Sequence, residues 1–162
     1  MKIRNGFVSN SSSSSFVVAF PKKPDNAEEV QYILRLGEHV VAYGEVMHGY
    51  DAALRVYQDI LLQKANNKEE ITESMEEFYE TEIEARRQLG LDEDCFSPIS
   101  TKDLNRANKL VKKINKDKVD KFLKENEGSE IYCFHYSDND GESVLEHGDI
   151  FNSVPNNVRS NH

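Results

Sequence analysis

The stretch FVSNSSSSSFVVAF, residues 7–20, places a run of serines between an apolar pair and an apolar strand-like segment. A serine run this close to the start of the chain has little before it to connect. We therefore expect it to belong to the fold or to a binding site rather than to a linker. Phe16 to Phe20 predicts a short strand that is buried on both faces and ends before Pro21 and Pro24.

A second apolar and aromatic run, Ile131 to Tyr136, predicts another strand near the far end of the chain. The apolar spacing between the two strands is helical, and a short helix is expected within residues 142–151. We expect an α+β fold in one domain of residues 1–162, with a small sheet built from segments 1–24 and 128–162 and covered by the helical middle, 25–127. Candidate helix starts lie at three capping positions: Asp25 or Asn26, Asp51 and Ser100. Asn66 and Asn67 indicate a turn.

The charge and the apolar content of the sequence argue against several classes of function. A net charge of −9 argues against direct binding to nucleic acid, which needs cations to displace the counterions of the phosphates. The chain has no apolar run long enough for a membrane span and no signal peptide pattern. Cys95 and Cys133 match no metal-binding spacing, so two free thiols are expected in a reducing compartment. We therefore expect a cytoplasmic protein without nucleic-acid or membrane contact.

The helical middle divides into an acidic and a basic segment. Residues 68–94 carry eleven acidic side chains against three basic ones, in what we interpret as one helix ending at Gly90. Residues 102–124 carry nine basic side chains against three acidic ones. Two alternatives follow: the segments attract each other as neighbouring helices, or each presents its charge to a partner. In the second case the contact surface is Glu69 to Glu84, with candidate residues Glu73, Glu76, Glu77, Glu80 and Tyr79, and with Tyr57 and Phe78 as further aromatic anchors.

Acidic residues and a histidine cluster after the second strand. Carboxylate oxygens suit hard divalent cations, and an added imidazole suits Mn²⁺ or Zn²⁺. The alternative is an ordinary turn, in which Asp138 and Asn139 bond the local backbone. The sequence identifies no cofactor by itself, and a divalent metal is the one that this cluster would hold. The candidate ligands are Asp138, Asp140, Glu142, Glu146 and His147.

The serines themselves, Ser11, Ser12, Ser13, Ser14 and Ser15, allow three interpretations. One of them is a nucleophile, which would need a base and an oxyanion pocket. Alternatively, their hydroxyl and backbone amide groups cradle a phosphate or carboxylate. The third and favoured interpretation is structural, because small hydroxyl side chains allow strands to approach closely and satisfy buried polar groups.

Two segments also carry a resemblance. Arg4 to Phe16, RNGFVSNSSSSSF, resembles the opening of a group of small proteins from bacteriophages and bacteria. Members of that group often close with segments similar to YSDNDGE at 136–142 and LEHGDIF at 145–151, and with a tail like SNH at 160–162. The resemblance implies that the two ends form one unit and that the helical middle adapts each protein to its own partner. It names no reaction.

Two hypotheses follow for function. The first is a small acidic phage-type accessory protein that binds and modulates a host or phage protein in the cytoplasm of a bacterial host cell. Nucleic-acid mimicry, with a nucleic-acid-binding protein as the partner, is a special case of this hypothesis. The alternative is a domain that binds a metal or phosphate ligand, or a hydrolase, whose site joins the serine run to the Asp138–His147 cluster.

Overall fold

The structure, a computed structural model, describes residues 13–76, 79–137, 140 and 142–161, and of Tyr79, Ser160 and Asn161 it describes the backbone alone. Within these residues the chain alternates short strands with helices of varied length. In chain order the elements are β1 (Ser13–Phe20), α1 (Ala27–Ile33), β2 (His39–Ala42), β3 (Glu45–His48), α2 (Gly49–Leu62), α3 (Lys68–Met75), α4 (Tyr79–Gln88), α5 (Thr101–Glu125), β4 (Glu130–Ser137), α6 (Ser143–His147) and β5 (Asn156–Asn161).

The main sheet joins the two ends of the chain, as the sequence predicts. Its strand order is β4-β1-β5, and β1 pairs antiparallel with both neighbours. Alternate residues of β1 face two different cores because strand side chains alternate between faces. Phe16 and Val18 pack into a core with α1, α2 and α6, whereas Val17 and Ala19 pack against α3 and α5. The predicted α+β fold and the burial of β1 on both faces are confirmed.

The third strand of this sheet, β5, lies in a polar segment near the end of the chain, where the apolar pattern of the sequence indicates no strand. β5 has the sequence NNVRSN, and Phe16 pairs with Val158 in the middle of it. An edge strand is held mainly by backbone hydrogen bonds, and polar side chains are ordinary there. The apolar periodicity on which the prediction rests is therefore absent from a strand of this kind.

The acidic segment is two helices, and the prediction of one helix ending at Gly90 is wrong. Glu76 leaves the helical conformation with φ −66° and ψ 116°, and α4 begins at Tyr79. The break allows the two helices to bury different partners. Ile71 and Met75 of α3 pack on the sheet, whereas Thr81 of α4 donates a hydrogen bond to Asn115 of α5 across 3.2 Å.

Residues 39–48 form a β-hairpin. Tyr43 and Gly44 both have positive φ, at 50° and 83°, as a two-residue hairpin turn requires. At the base of the hairpin the Gly49 backbone N–H donates to the carbonyl of Glu38 across 2.8 Å. The carbonyl of Gly37 lies where a side chain at Gly49 would stand, so this close approach depends on glycine.

Two of the three predicted helix caps are confirmed, and the third differs. The side chain of Asn26 accepts from the backbone N–H of Glu29, and that of Ser100 accepts from Asp103. Asn67, which the sequence indicates only as part of a turn, also caps its helix, α3. Asp51, in contrast, lies inside α2, which begins two residues earlier at Gly49. Among the helices of the described residues, none has both the length and the apolar character needed to cross a bilayer.

Candidate functional site

The described serines of the run alternate between the two faces of the sheet. Ser11 and Ser12 lie outside the described residues, and Ser13, Ser14 and Ser15 belong to β1. The Ser14 hydroxyl points to the core side and donates to Glu146 Oε1 across 3.3 Å. Ser15, on the opposite face, shares a hydrogen bond of 3.1 Å with Nδ1 of His135. Neighbouring serines therefore form hydrogen bonds on opposite faces of the sheet.

The serine segment and α6 meet at Glu146, as the second hypothesis predicts. The Glu146 carboxylate has no exposed side-chain surface, and its other oxygen lies 3.5 Å from Nε2 of His147. The ring of Tyr43, from the hairpin turn, packs edge-on against His147 at a centroid distance of 4.7 Å. Because this carboxylate is enclosed, the contact fastens α6 to β1 and offers little access to a ligand.

The rest of the predicted metal cluster is dispersed or lies outside the description. Glu142 forms an ion pair of 2.7 Å with Arg55, Asp140 is exposed, and Asp138 lies outside the described residues. Within the described ranges no group of three or more histidine, cysteine, aspartate or glutamate side chains is placed to hold a metal ion. A metal site that includes Asp138 stays a prediction.

Arg55 and Glu142 belong to a polar network that connects α2 with β4. Arg55 also lies 3.7 Å from Asp59, which accepts a hydrogen bond of 3.0 Å from the hydroxyl of Tyr136. Burial raises the pKa of the Tyr136 phenol well above its usual value, and the charge of Asp59 adds to the effect. The phenol therefore stays a donor, and the network anchors β4 to α2.

The pair of Ser15 and His135 meets one requirement for a nucleophile and its base, since their separation is a hydrogen-bond distance. Across β1, Arg159 stands opposite Ser15 in the register with β5. Among the described residues, however, Ser15 is the only side chain that bonds the His135 ring. No third group in that part of the chain fixes the imidazole in a tautomer suited to catalysis. The structural interpretation of the serines agrees best with these contacts.

The predicted acidic contact surface is spread over α3 and α4. Glu73 on α3 and Glu80 on α4 are exposed, and Glu76 is half-buried. Glu77 and Phe78 lie outside the described residues, as does the side chain of Tyr79. The third predicted anchor, Tyr57, is half-buried and donates its hydroxyl to the carbonyl of Asp25 across 2.7 Å, so its polar end is already engaged within the fold.

A buried arginine inside the acidic segment organises the loop between α4 and α5, and the sequence interpretation misses it. The side chain of Arg86 is 3 % exposed and forms an ion pair of 2.9 Å with Glu82. Its guanidinium also donates to main-chain carbonyls of the loop, at distances from 2.7 to 3.4 Å. The carbonyls belong to Asp92, Asp94, Cys95 and Ser97.

Local side-chain bonds stiffen the same loop, residues 91–98, which we call the Phe96 loop. Asp92 accepts from the backbone N–H of Asp94, and Asp94 accepts from that of Phe96, at 3.0 and 2.9 Å. The hydroxyl of Ser97 donates to Asp92 across 2.9 Å. Such short-range bonds of aspartate and serine are typical of tight turns. Their sequence signal, Asp-x-Asp-x-x-Ser, is present at 92–97.

Phe96 projects from this fixed loop into solvent and is 86 % exposed. Hydrogen bonds favour the charged form of two carboxylates near it, those of Asp92 and Glu93. A hydrogen bond from the backbone N–H of Asp94, followed by one from the side-chain hydroxyl of Ser97, lowers the pKa of Asp92. Hydrogen bonding to Arg87 lowers the pKa of Glu93. The loop therefore presents an aromatic ring with negative charges beside it.

An open groove of about 840 Å³ lies elsewhere, between α1 and the end of β1. Tyr32, Glu28 and Arg35 line it together with Val154 and Pro155. Its volume is in the range of small-molecule sites. None of the residues predicted as site residues from the sequence lines this groove.

Comparison of the chain with protein-family models, with curated proteins and with solved structures found no match. The resemblance in the terminal segments therefore stays an expectation. A functional assignment has to rest on the geometry described above.

The two cysteines are free, as the sequence predicts, and one of them supports a pH prediction. Burial raises the pKa of the Cys133 thiol from 9.0 to about 11. Between these two values only the unfolded chain loses the proton, so stability falls as the pH rises, by roughly 2–3 kcal/mol from this group. Urea unfolding at pH 8 and at pH 10.5 measures the loss.

The variant Cys133→Ala is the control for this pH effect. Tyr132 and Tyr136 also have raised pKa values and contribute in the same alkaline direction in both proteins. The alanine variant is therefore expected to lose less stability than the wild type over the same interval. Equal losses in the two proteins would show that Cys133 has no part in the effect.

Proposed function

We propose that this protein is a binding module that docks on a partner protein through the Phe96 loop. The single observation that carries the proposal is the near-complete exposure of Phe96 on a loop held by a buried arginine. Aromatic residues are enriched in protein–protein interfaces, where each buries a large apolar surface. An isolated exposed apolar residue is common on protein surfaces, but Phe96 differs in that the buried side chain of Arg86 holds its loop in place.

The hydrogen bonds of Arg86 hold the backbone of the Phe96 loop in one conformation. Removing a guanidinium from water is unfavourable, and here it is offset by carbonyls of the loop and by Glu82. The result is a segment whose backbone is already ordered before any partner arrives. Binding through such a segment loses less conformational entropy than binding through a flexible one.

The charges around Phe96 define the partner. Asp92, Glu93 and Asp94 are exposed acidic neighbours on the same loop. A complementary surface is an apolar pocket with a basic rim, and the net charge of −9 speeds association with such a surface. A nucleic-acid-binding protein has a surface of this kind, which keeps mimicry within the proposal. The exposed Glu73 and Glu80 stay candidates for a second contact.

The biological setting follows from the terminal resemblance and from the composition. We place the protein among phage-type accessory proteins that modulate a host or phage protein, in the cytoplasm of a bacterial cell. The motif at residues 4–16 supports the origin, and two free thiols support a reducing compartment. The ends of the chain would then provide the common framework, and the α4–α5 region the specific contact.

Affinity capture from a bacterial lysate tests the proposal by comparing three forms of the protein. The wild type is expected to retain one stoichiometric protein. Phe96→Ala is expected to bind it at least about tenfold more weakly, because the burial of one large apolar side chain is lost. Tyr32→Ala removes a ring that is 83 % exposed on α1 and is expected to bind like the wild type. Equal binding by all three forms would contradict the proposal.

A further inference from the structure

We propose that His39 and His48 together bind one divalent transition-metal ion of the class that prefers imidazole, such as Zn²⁺. The two residues stand directly opposite each other at the base of the β2–β3 hairpin. Both are exposed, and their ring centroids lie 4.8 Å apart. This pair is separate from the predicted cluster around His147 and from the Phe96 loop.

The ring spacing matches that of two imidazoles on one ion. Zinc–nitrogen bonds are about 2.0–2.1 Å long, which puts the centres of two rings on one ion about 4.5 Å apart at a right angle and about 5.2 Å apart at the tetrahedral angle. The observed separation of 4.8 Å lies between these two values, and the ring planes meet at 38°. The ring separation is therefore compatible with binding of both imidazoles to a common ion.

The backbone under the two rings is fixed. The two-residue turn sets the hairpin register, and the buried side chains of Val40 and Ala42 hold the opposite face of the ribbon against the core. The bond from the Gly49 N–H to the carbonyl of Glu38 ties together the residues next to each histidine. Because the backbone already holds the two histidines next to each other, binding of both to one ion loses less conformational entropy.

Both rings are available as ligands. In the described part of the chain no hydrogen bond or ion pair engages the side chain of His39 or His48. The same residues supply no third protein ligand. Water completes the coordination sphere, which leaves open positions on the ion.

Calorimetric titration of the full chain with Zn²⁺ tests the proposal, and NMR of the histidine rings locates the ion. One ion per chain is expected, with the largest shifts at His39 and His48. His39→Asn and His48→Asn are each expected to bind at least about tenfold more weakly. Asparagine suits the position before α2, so the second variant is expected to fold.

His135→Asn, which alters a histidine on another face, is the matched control and is expected to bind zinc like the wild type. Absence of saturable binding by the wild type would overturn the proposal. So would undiminished binding by the double variant at His39 and His48, or shifts centred on His147.

Discussion

Replacing Arg86 by methionine is expected to lower the free energy of unfolding by about 2–4 kcal/mol, because the loop carbonyls lose a buried hydrogen-bond donor and Glu82 loses its ion-pair partner. The Arg86 side chain is 3 % exposed, and its guanidinium donates both to Glu82 and to carbonyls of the Phe96 loop. Methionine fills much of the volume but donates no hydrogen bond. The carbonyls would then lose their partner, and the loop its fixed shape. Urea unfolding of the two proteins measures the change.

The neighbouring arginine provides the control. Arg87 pairs with Glu93 at the surface, where its side chain is 63 % exposed. Arg87→Met is expected to change stability little, because ion pairs in water contribute little. A lysine at position 86 is expected to give a partial loss, since an ammonium group cannot reproduce the planar fork of the guanidinium. Equal stability of Arg86→Met and Arg87→Met would contradict the role given to Arg86.

Replacing Phe134 by alanine is expected to lower the free energy of unfolding by about 3–5 kcal/mol through the cavity that it leaves. Phe134 lies on β4, is 3 % exposed and stacks on Phe151 at a centroid distance of 4.9 Å. Its ring also packs near Phe20 of β1 and Tyr136 of its own strand. The substitution therefore removes contacts between strands and with the segment after α6. Thermal or urea unfolding gives the difference.

The same substitution at Phe96 is the matched control. Its ring is 86 % exposed, so Phe96→Ala is expected to leave stability nearly unchanged while weakening partner binding. Phe134→Leu, which keeps most of the volume, is expected to be much less destabilising than Phe134→Ala. A large stability loss from Phe96→Ala would mean that Phe96 packs within the fold, and it would contradict the surface role.

The sequence predicts those elements whose apolar residues are buried. Val17 and Val18 of β1, and the aromatic residues of β4, face packed cores, so their composition alone marks them as strands. The caps at Asn26 and Ser100 are likewise local, because a side chain bonds the backbone three residues on. The pairing of the two terminal strands follows from their shared apolar character.

Other elements depend on contacts that no local pattern contains. β5 is a polar edge strand whose place is set by hydrogen bonds to β1, far away in the sequence. The break at Glu76 follows from the need to pack α3 on the sheet and α4 on α5. In both cases tertiary contacts override the local pattern.

The candidate functional residues likewise include one contact that the sequence predicts and one loop that it does not. The predicted meeting of the serine run and the C-terminal cluster occurs at Ser14 and Glu146, although the contact is enclosed. The sequence does not predict the Phe96 loop, because nothing in it shows that Arg86 differs from the other cations of the acidic segment. Its role becomes visible only when its burial and its hydrogen bonds to the loop are known.

Site-specific photo-cross-linking at position 96 tests the central claim most directly. A photoreactive phenylalanine analogue is placed at position 96, and in a second protein at position 32, where the native ring is almost equally exposed. After irradiation in a bacterial lysate, position 96 is expected to form one abundant cross-link to a single protein that also fails to bind Phe96→Ala. No such product at position 96, or the same product from position 32, would contradict docking through the Phe96 loop.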